Sequence, residues 1–203
     1  MRMVFIGDSI TESGRFAELE NLGTGYVRLI HDYLITTYPE SPLEIINKGI
    51  SGNRITDLAA RWQTDAIDLQ PDIISISIGI NDVWRQLDQP DIEQIFPDEF
   101  EKIYEDLLMK IKNQTSATIV LMEPTVIEEN AESLGNEKLK PYVECVNRLA
   151  EKYQATTVPA HQSFKKYLME GTGYKLTTDG VHMNSAGNML MATSWLQATK
   201  SLL

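Results

Sequence analysis

Five short runs of β-branched and apolar residues, separated by longer segments of helical period, constrain this chain more than any other feature. The runs fall at residues 3–6, 43–46, 73–78, 118–122 and 156–158, each of strand length. Between them apolar residues recur every three or four positions. Tyr26, Leu29, Ile30, Tyr33 and Leu34 form one face behind a Thr24 N-cap, and Phe100, Ile103, Leu107, Leu108 and Ile111 form another. Further helices are expected over residues 54–69, 138–153 and 184–203. Parallel strands need long crossover connections, which this alternation supplies. The expected fold is α/β: a three-layer α/β/α sandwich around a doubly wound, parallel five-stranded sheet. A chain of 203 residues suffices for one sizeable core, so residues 1–203 are expected to form a single domain. The stretches 86–97 and 123–137 are longer than ordinary loops and are candidates either for pocket walls or for surface decoration.

Charge narrows the partners. Against 18 Lys and Arg stand 29 Asp and Glu, a formal charge of −11, which repels phosphate backbones and anionic lipid surfaces. No nucleic-acid or membrane partner is expected, and a small neutral substrate fits better. The apolar residues after Met1 and Arg2 are too few for a secretion signal, and no segment approaches about 20 apolar residues. A lone Cys145 can neither close an internal disulfide nor build a thiolate metal cluster. These features point to a cytoplasmic location.

In a sheet of this kind ligands bind beyond the carboxyl ends of the strands. The first strand ends in Gly7-Asp8-Ser9-Ile10-Thr11, which sets the Ser9 hydroxyl on a turn at that end, where it could act as a nucleophile or cap a helix. A serine nucleophile needs a base, and the chain offers His31, His161 and His182. His31 lies within an amphipathic helix and His161 near the start of another, as surface or helix-end histidines do. His182 lies in the loop Thr177-Thr178-Asp179-Gly180-Val181-His182-Met183-Asn184. There Asp179 can fold back onto Nδ1 and leave Nε2 to take a proton, while Asn184 can cap the last helix. A developing oxyanion needs donors. The segment after the second strand, Gly49-Ile50-Ser51-Gly52-Asn53-Arg54, offers the Gly52 N–H; the segment after the third, Gly79-Ile80-Asn81-Asp82, offers the Asn81 carboxamide. The Ser9 N–H completes the set.

These four pieces, at successive strand ends and in this order, resemble the four sequence blocks of the SGNH, or GDSL, hydrolase family. The resemblance spans nearly the whole chain. It implies a flavodoxin-like sheet, Ser9 as nucleophile, Gly52 and Asn81 as oxyanion donors, Asp179 and His182 as the other triad members, and no metal or organic cofactor. It also implies a homo-oligomer. The words Gly23-Thr24-Gly25-Tyr26-Val27, Gly49-Ile50-Ser51-Gly52-Asn53-Arg54 and Ile78-Gly79-Ile80-Asn81-Asp82-Val83-Trp84-Arg85 resemble those of bacterial acetylxylan esterases within the family, which implies an acetylated sugar as substrate. The chain departs from the family pattern at Ile10, where the family name implies Leu, and at Met183, where many members have Pro.

Several rivals are disfavoured by particular residues. An ordinary α/β-hydrolase sets its serine in a Gly-x-Ser-x-Gly elbow, and Thr11 occupies the place of the second glycine. A nucleotide-binding relative of the same sheet would need phosphate-cradling chemistry, yet Gly23-Thr24-Gly25 lacks the Lys-Ser or Lys-Thr of a P-loop. Dispersed histidines argue against a metalloenzyme. A carbohydrate-binding protein could use Trp84 as a stacking platform but has no need of Ser9, Asp179 and His182 together. A longer acyl chain, as in lysophospholipases and thioesterases of the same family, is the competing substrate.

Overall fold

The computed structural model of the chain describes residues 1–171 and 173–203. Five parallel strands, β1 (Arg2–Gly7), β2 (Glu44–Gly49), β3 (Ile73–Ser77), β4 (Thr118–Met122) and β5 (Thr156–Val158), form one sheet in the order β2-β1-β3-β4-β5. The helices are α1 (Ser9–Glu12), α2 (Tyr26–Thr37), α3 (Ile55–Ala60), α4 (Ile80–Asp88), α5 (Pro97–Gln114), α6 (Leu134–Tyr153), α7 (Ala160–Met169) and α8 (Ser185–Ala198). On one side α2 packs on α8, which also meets α7; on the other, α5 lies between α3 and α6. This is the expected three-layer sandwich. From β1 the chain moves outward to β2, then returns past β1 to β3, so its direction reverses between β1 and β3. That reversal opens a crevice at the carboxyl ends of these two strands, and Ser9 and Asn81 follow the two strands that flank it.

Every residue of β3 is buried, as a strand covered on both faces requires. Its Ser75 hydroxyl is satisfied by the indole N–H of Trp195 at 3.0 Å. Trp195 in turn packs on Phe5, ring centroids 5.2 Å apart. On the opposite side Phe100 meets Tyr104 and Tyr142 edge-on, at 5.6 and 5.1 Å.

Local departures from the expected elements have identifiable causes. Thr24 does not cap α2: its hydroxyl donates to the Ser13 carbonyl, Gly25 takes the N-cap position, and the free Tyr26 N–H is accepted by Asn188 Oδ1 of α8. Tyr33 lies on the exposed side of α2. The helix expected over 54–69 breaks after Ala60 into a π-type turn, Gln63–Ile67. Arg61, at the break, is pulled beneath the strand ends by the carbonyls of Gly7 and Lys48 and by Asn53 Oδ1, while Trp62 buries its indole against the Leu107 carbonyl. α6 starts four residues before expected, capped by Ser133, whose Oγ accepts the Asn136 N–H. α8 ends at Ala198, short of the expected 203. Of the two long segments, 86–97 begins inside α4 and 123–137 ends inside α6.

Candidate active site

The position of Ser9 follows from the contacts of its neighbours. Asp8 caps α1, its Oδ1 accepting the Ile10 N–H at 3.0 Å, so Ser9 becomes the first helical residue at the end of β1. The Gly7 carbonyl accepts from Arg61 Nη2 and from the Ile50 N–H. Asn47, buried on β2, donates to the carbonyls of Thr11 and Leu22 and accepts the Gly49 N–H. Asn47 thereby fastens the Ser9 turn to the neighbouring strand. A Cβ on Gly49 would lie 2.2 Å from the Glu12 nitrogen, so only glycine permits this approach.

Ser9 Oγ lies 2.9 Å from His182 Nε2, and His182 Nδ1 lies 2.7 Å from Asp179 Oδ2. Asp179 Oδ1 accepts the N–H groups of His182 and Val181, at 2.8 and 3.0 Å. One carboxylate thus folds the loop and orients the imidazole at the same time. Partial burial would raise the Asp179 carboxyl, but hydrogen bonds from the imidazole and the two amides outweigh it and hold the group below the ordinary carboxylate range. It remains an acceptor for Nδ1–H, which leaves Nε2 to accept the Ser9 proton.

The Asp179–His182 loop is braced from both sides. Thr177 and Met183 form an antiparallel bridge, the Thr178 N–H bonds the His182 carbonyl, and Asn184 caps α8 by accepting from Ala186 and Gly187. From the segment after β4, the Glu128 N–H donates to the Gly180 carbonyl at 2.8 Å. Glu129 Oε1 accepts from Leu176 N at 2.8 Å, Thr177 N at 2.6 Å and Thr177 Oγ1 at 2.5 Å. The long segment 123–137 therefore buttresses the Asp179–His182 loop. In the sequence Glu128-Glu129-Asn130 reads as solvated loop, and the only signal for Glu129 is its place beyond the carboxyl end of a central strand.

The proposed oxyanion donors come from two segments tied to each other. Gly52 has φ +80° with open space around its α-carbon. Asn81 is 1% exposed and donates one carboxamide N–H to the Asn53 carbonyl at 3.0 Å; a carboxamide carries a second. Asp82 accepts the Ile55 N–H with both oxygens, at 3.2 and 3.3 Å. Burial pushes the Asp8 carboxyl up to about 7, against the pull of the Ile10 N–H and the charge of His182. Burial likewise raises Asp82 to about 7, opposed by the Ile55 N–H and Arg54.

Ser9 and His182 open onto a cleft of about 220 Å³ lined otherwise by Ile10, Glu12, Ser13, Ser51, Met183 and Asn188. Trp84 stands outside that lining. Half-buried on α4, it meets the His182 ring edge-on at 5.7 Å and has the Arg85 guanidinium 5.1 Å from its centroid. The other histidines are elsewhere. His31 pairs with Asp32 on α2. His161 does start α7, but it is buried rather than superficial, 5% exposed, with Nδ1 bonded to the Thr125 carbonyl; burial lowers its pKa below the usual imidazole value. A wider groove of about 550 Å³ between α6 and α7 is lined by Val143, His161, Lys165 and Met169 among others and holds none of the Ser9–His182–Asp179 chain.

This geometry has close counterparts. The chain is 37% identical to an acetylxylan esterase of Geobacillus stearothermophilus over 97% of its own length and 92% of the relative's. The crystal structure of an acetylxylan esterase from that organism superimposes with a TM-score of 0.90 at 38% identity, covering 97% of this chain and 93% of the other. Catalytic mutants of that enzyme replace a serine, an aspartate and a histidine, the last two three residues apart. An α/β hydrolase enzyme from the metagenome of Lake Arreo, Spain, matches at 35% identity with a TM-score of 0.91, over 100% and 96% of the two chains. Residues 5–190, from β1 to α8, match the GDSL-like lipase/acylhydrolase family. With serine, aspartate and histidine carried on this sheet in this order, the chain belongs to that family and is a serine carboxylic-ester hydrolase.

Proposed function

We propose that this protein removes acetyl groups from hydroxyls of short xylo-oligosaccharides or related sugars through an acetyl-enzyme intermediate. The observation that carries the reading is the unbroken hydrogen-bonded chain Ser9–His182–Asp179 at the mouth of a small cleft. His182 takes the Ser9 proton as Oγ attacks the ester carbonyl, while the N–H groups of Ser9 and Gly52 and the Asn81 carboxamide hold the oxyanion. His182 then protonates the departing alcohol. Water attacks the acetyl-enzyme by the same route in reverse, with Asp179 stabilising the imidazolium throughout. The scheme uses no metal or organic cofactor.

Similarity to acetylxylan esterases supports acetyl as the acyl group. The protein acts in the cytoplasm as a homo-oligomer; the single cysteine supports the first point and the family resemblance the second.

The test is hydrolysis of p-nitrophenyl acetate, butyrate and octanoate, together with acetate release from acetylated xylo-oligosaccharides, by wild type and folded Ser9→Ala. The reading expects activity on acetate and on the oligosaccharides, falling with chain length and lost in Ser9→Ala. Preference for octanoate would overturn the acetyl assignment, and activity surviving in Ser9→Ala would overturn the nucleophile.

A further inference from the structure

The cleft beside the nucleophile carries a carboxylate that the hydrolytic chemistry does not use. Glu12 is the last residue of α1, half-buried, and lines the cleft with Ser13, Ser51, Met183 and Asn188. Its Oε2 accepts a hydrogen bond from Ser51 Oγ at 3.1 Å. Among the described residues Glu12 takes part in no ion pair. Arg15, which senses its charge, gives its Nε–H to the Gly49 carbonyl instead.

An unpaired carboxylate here has a cost. It repels anionic substrates. Against that cost, a carboxylate makes stronger hydrogen bonds to hydroxyls than a neutral acceptor does. The cleft offers such a partner a defined place. The leaving oxygen must come within hydrogen-bond reach of His182 Nε2, so the ring bearing that oxygen enters the cleft that His182 shares with Glu12. At about 220 Å³ the cleft is smaller than the roughly 300–1,000 Å³ of pockets that enclose drug-sized ligands, and suits one small ring.

The wall holding Glu12 is rigid. Its backbone is packed against Gly49, where a Cβ would be 2.2 Å away. The next residue, Ser13, is held at φ +41° with its carbonyl taken by the Thr24 N–H at 2.8 Å. Gly25 allows Ser13 and Asn188 to close together, since a Cβ there would meet Ser13 Oγ at 2.6 Å and Asn188 Oδ1 at 2.9 Å. The Glu12 backbone is thus held in place, and the Ser51 hydrogen bond directs its carboxylate.

We propose that Glu12, steadied by Ser51, determines specificity for the alcohol half of the ester: its carboxylate accepts a ring hydroxyl neighbouring the acetylated one and selects hydroxylated over apolar leaving groups. The inference rests on the acetyl-sugar reading above.

The test compares kcat/KM for a monoacetylated methyl xyloside with kcat/KM for cyclohexyl acetate, an acetate of similar ring size without neighbouring hydroxyls. Wild type, Glu12→Ala, Glu12→Gln and Ser51→Ala are measured. Taking the ratio of the two substrates cancels any loss of folded enzyme and any common effect on His182. Loss of a charge-assisted hydrogen bond predicts that the sugar-to-cyclohexyl ratio falls about tenfold in Glu12→Ala. A smaller fall is expected in Glu12→Gln, which keeps an acceptor oxygen, and in Ser51→Ala. A ratio within about twofold of wild type in Glu12→Ala, with wild type cleaving both esters, overturns the inference alone. A wild type that cleaves cyclohexyl acetate but not the sugar ester overturns the acetyl-sugar reading and the inference together.

Discussion

Asn81 reaches across from the start of α4 to the carbonyl of Asn53, at 3.0 Å, and so ties the strand end that carries one proposed oxyanion donor to the turn that carries the other, Gly52. Removing the carboxamide deletes a donor and releases that turn. Asn81→Ala should lower kcat about 10²- to 10³-fold, the usual cost of one oxyanion donor, with the fold retained. Steady-state kinetics beside a thermal melt checks this; a loss under about threefold would exclude Asn81 from the site.

Gly52 and Gly187 are required for opposite reasons. Around Gly52 a Cβ meets nothing within 4 Å, but φ is +80°, which costs an L-residue about 1–2 kcal/mol. At Gly187 a Cβ would sit 2.2 Å from the Leu176 carbonyl oxygen and 2.9 Å from Met183 Sδ. Gly52→Ala should therefore lower Tm by a few degrees and reduce activity by more than the loss of stability explains. Gly187→Ala should displace the His182 loop and lower Tm and activity together. Equal Tm values for the two variants would contradict this distinction.

Glu129 is expected to act on catalysis without touching substrate. Its three hydrogen bonds anchor Leu176 and Thr177 at the base of the His182 loop. Glu129→Ala leaves two backbone N–H groups without their acceptor, so kcat should fall at least tenfold with KM little changed, and hydrogen exchange across residues 176–183 should quicken. Glu129→Gln, which retains an acceptor oxygen, should recover part of both effects. Unchanged exchange in Glu129→Ala would show that the brace does not hold the loop.

Asp8 and Asp82 give stability a definite pH dependence. Each carboxyl titrates near 7 in the folded chain and near 3.9 when unfolded. Between these values the folded state binds more protons, so stability falls as pH rises through the window. The depressed Asp179 acts in the opposite sense, and only below the ordinary carboxylate range. Asp8→Asn and Asp82→Asn should each narrow the Tm difference between pH 4.5 and pH 7.5. Melts that keep the wild-type difference would show that neither carboxyl is held protonated.

The expected sheet was readable because each strand is a short apolar run, and the runs at 118–122 and 156–158 coincide with β4 and β5. Ser9, Asp179 and His182 were legible because triad chemistry restricts residue types, and the structure brings the three into hydrogen-bond contact. What escaped were contacts between side chains and distant backbone groups. Neither Asn188 on the α2 N-terminus, nor Asp82 on Ile55, nor Glu129 on Thr177 leaves a local pattern. Their partners are amides that every residue carries and that only tertiary folding selects. The break at Arg61 was hidden for the same reason, since its cause is a set of carbonyls on other strands.

Ser9 and His182, the proposed nucleophile and base, are 173 positions apart in the chain. A ribosome exposes Ser9 well before His182, and the intervening strands must dock before the two can meet. Until then the serine is an ordinary alcohol, so the growing chain presents no reactive centre. Acylation of Ser9 by an active-site probe accordingly reports complete assembly of the sheet, and partly folded intermediates should escape labelling.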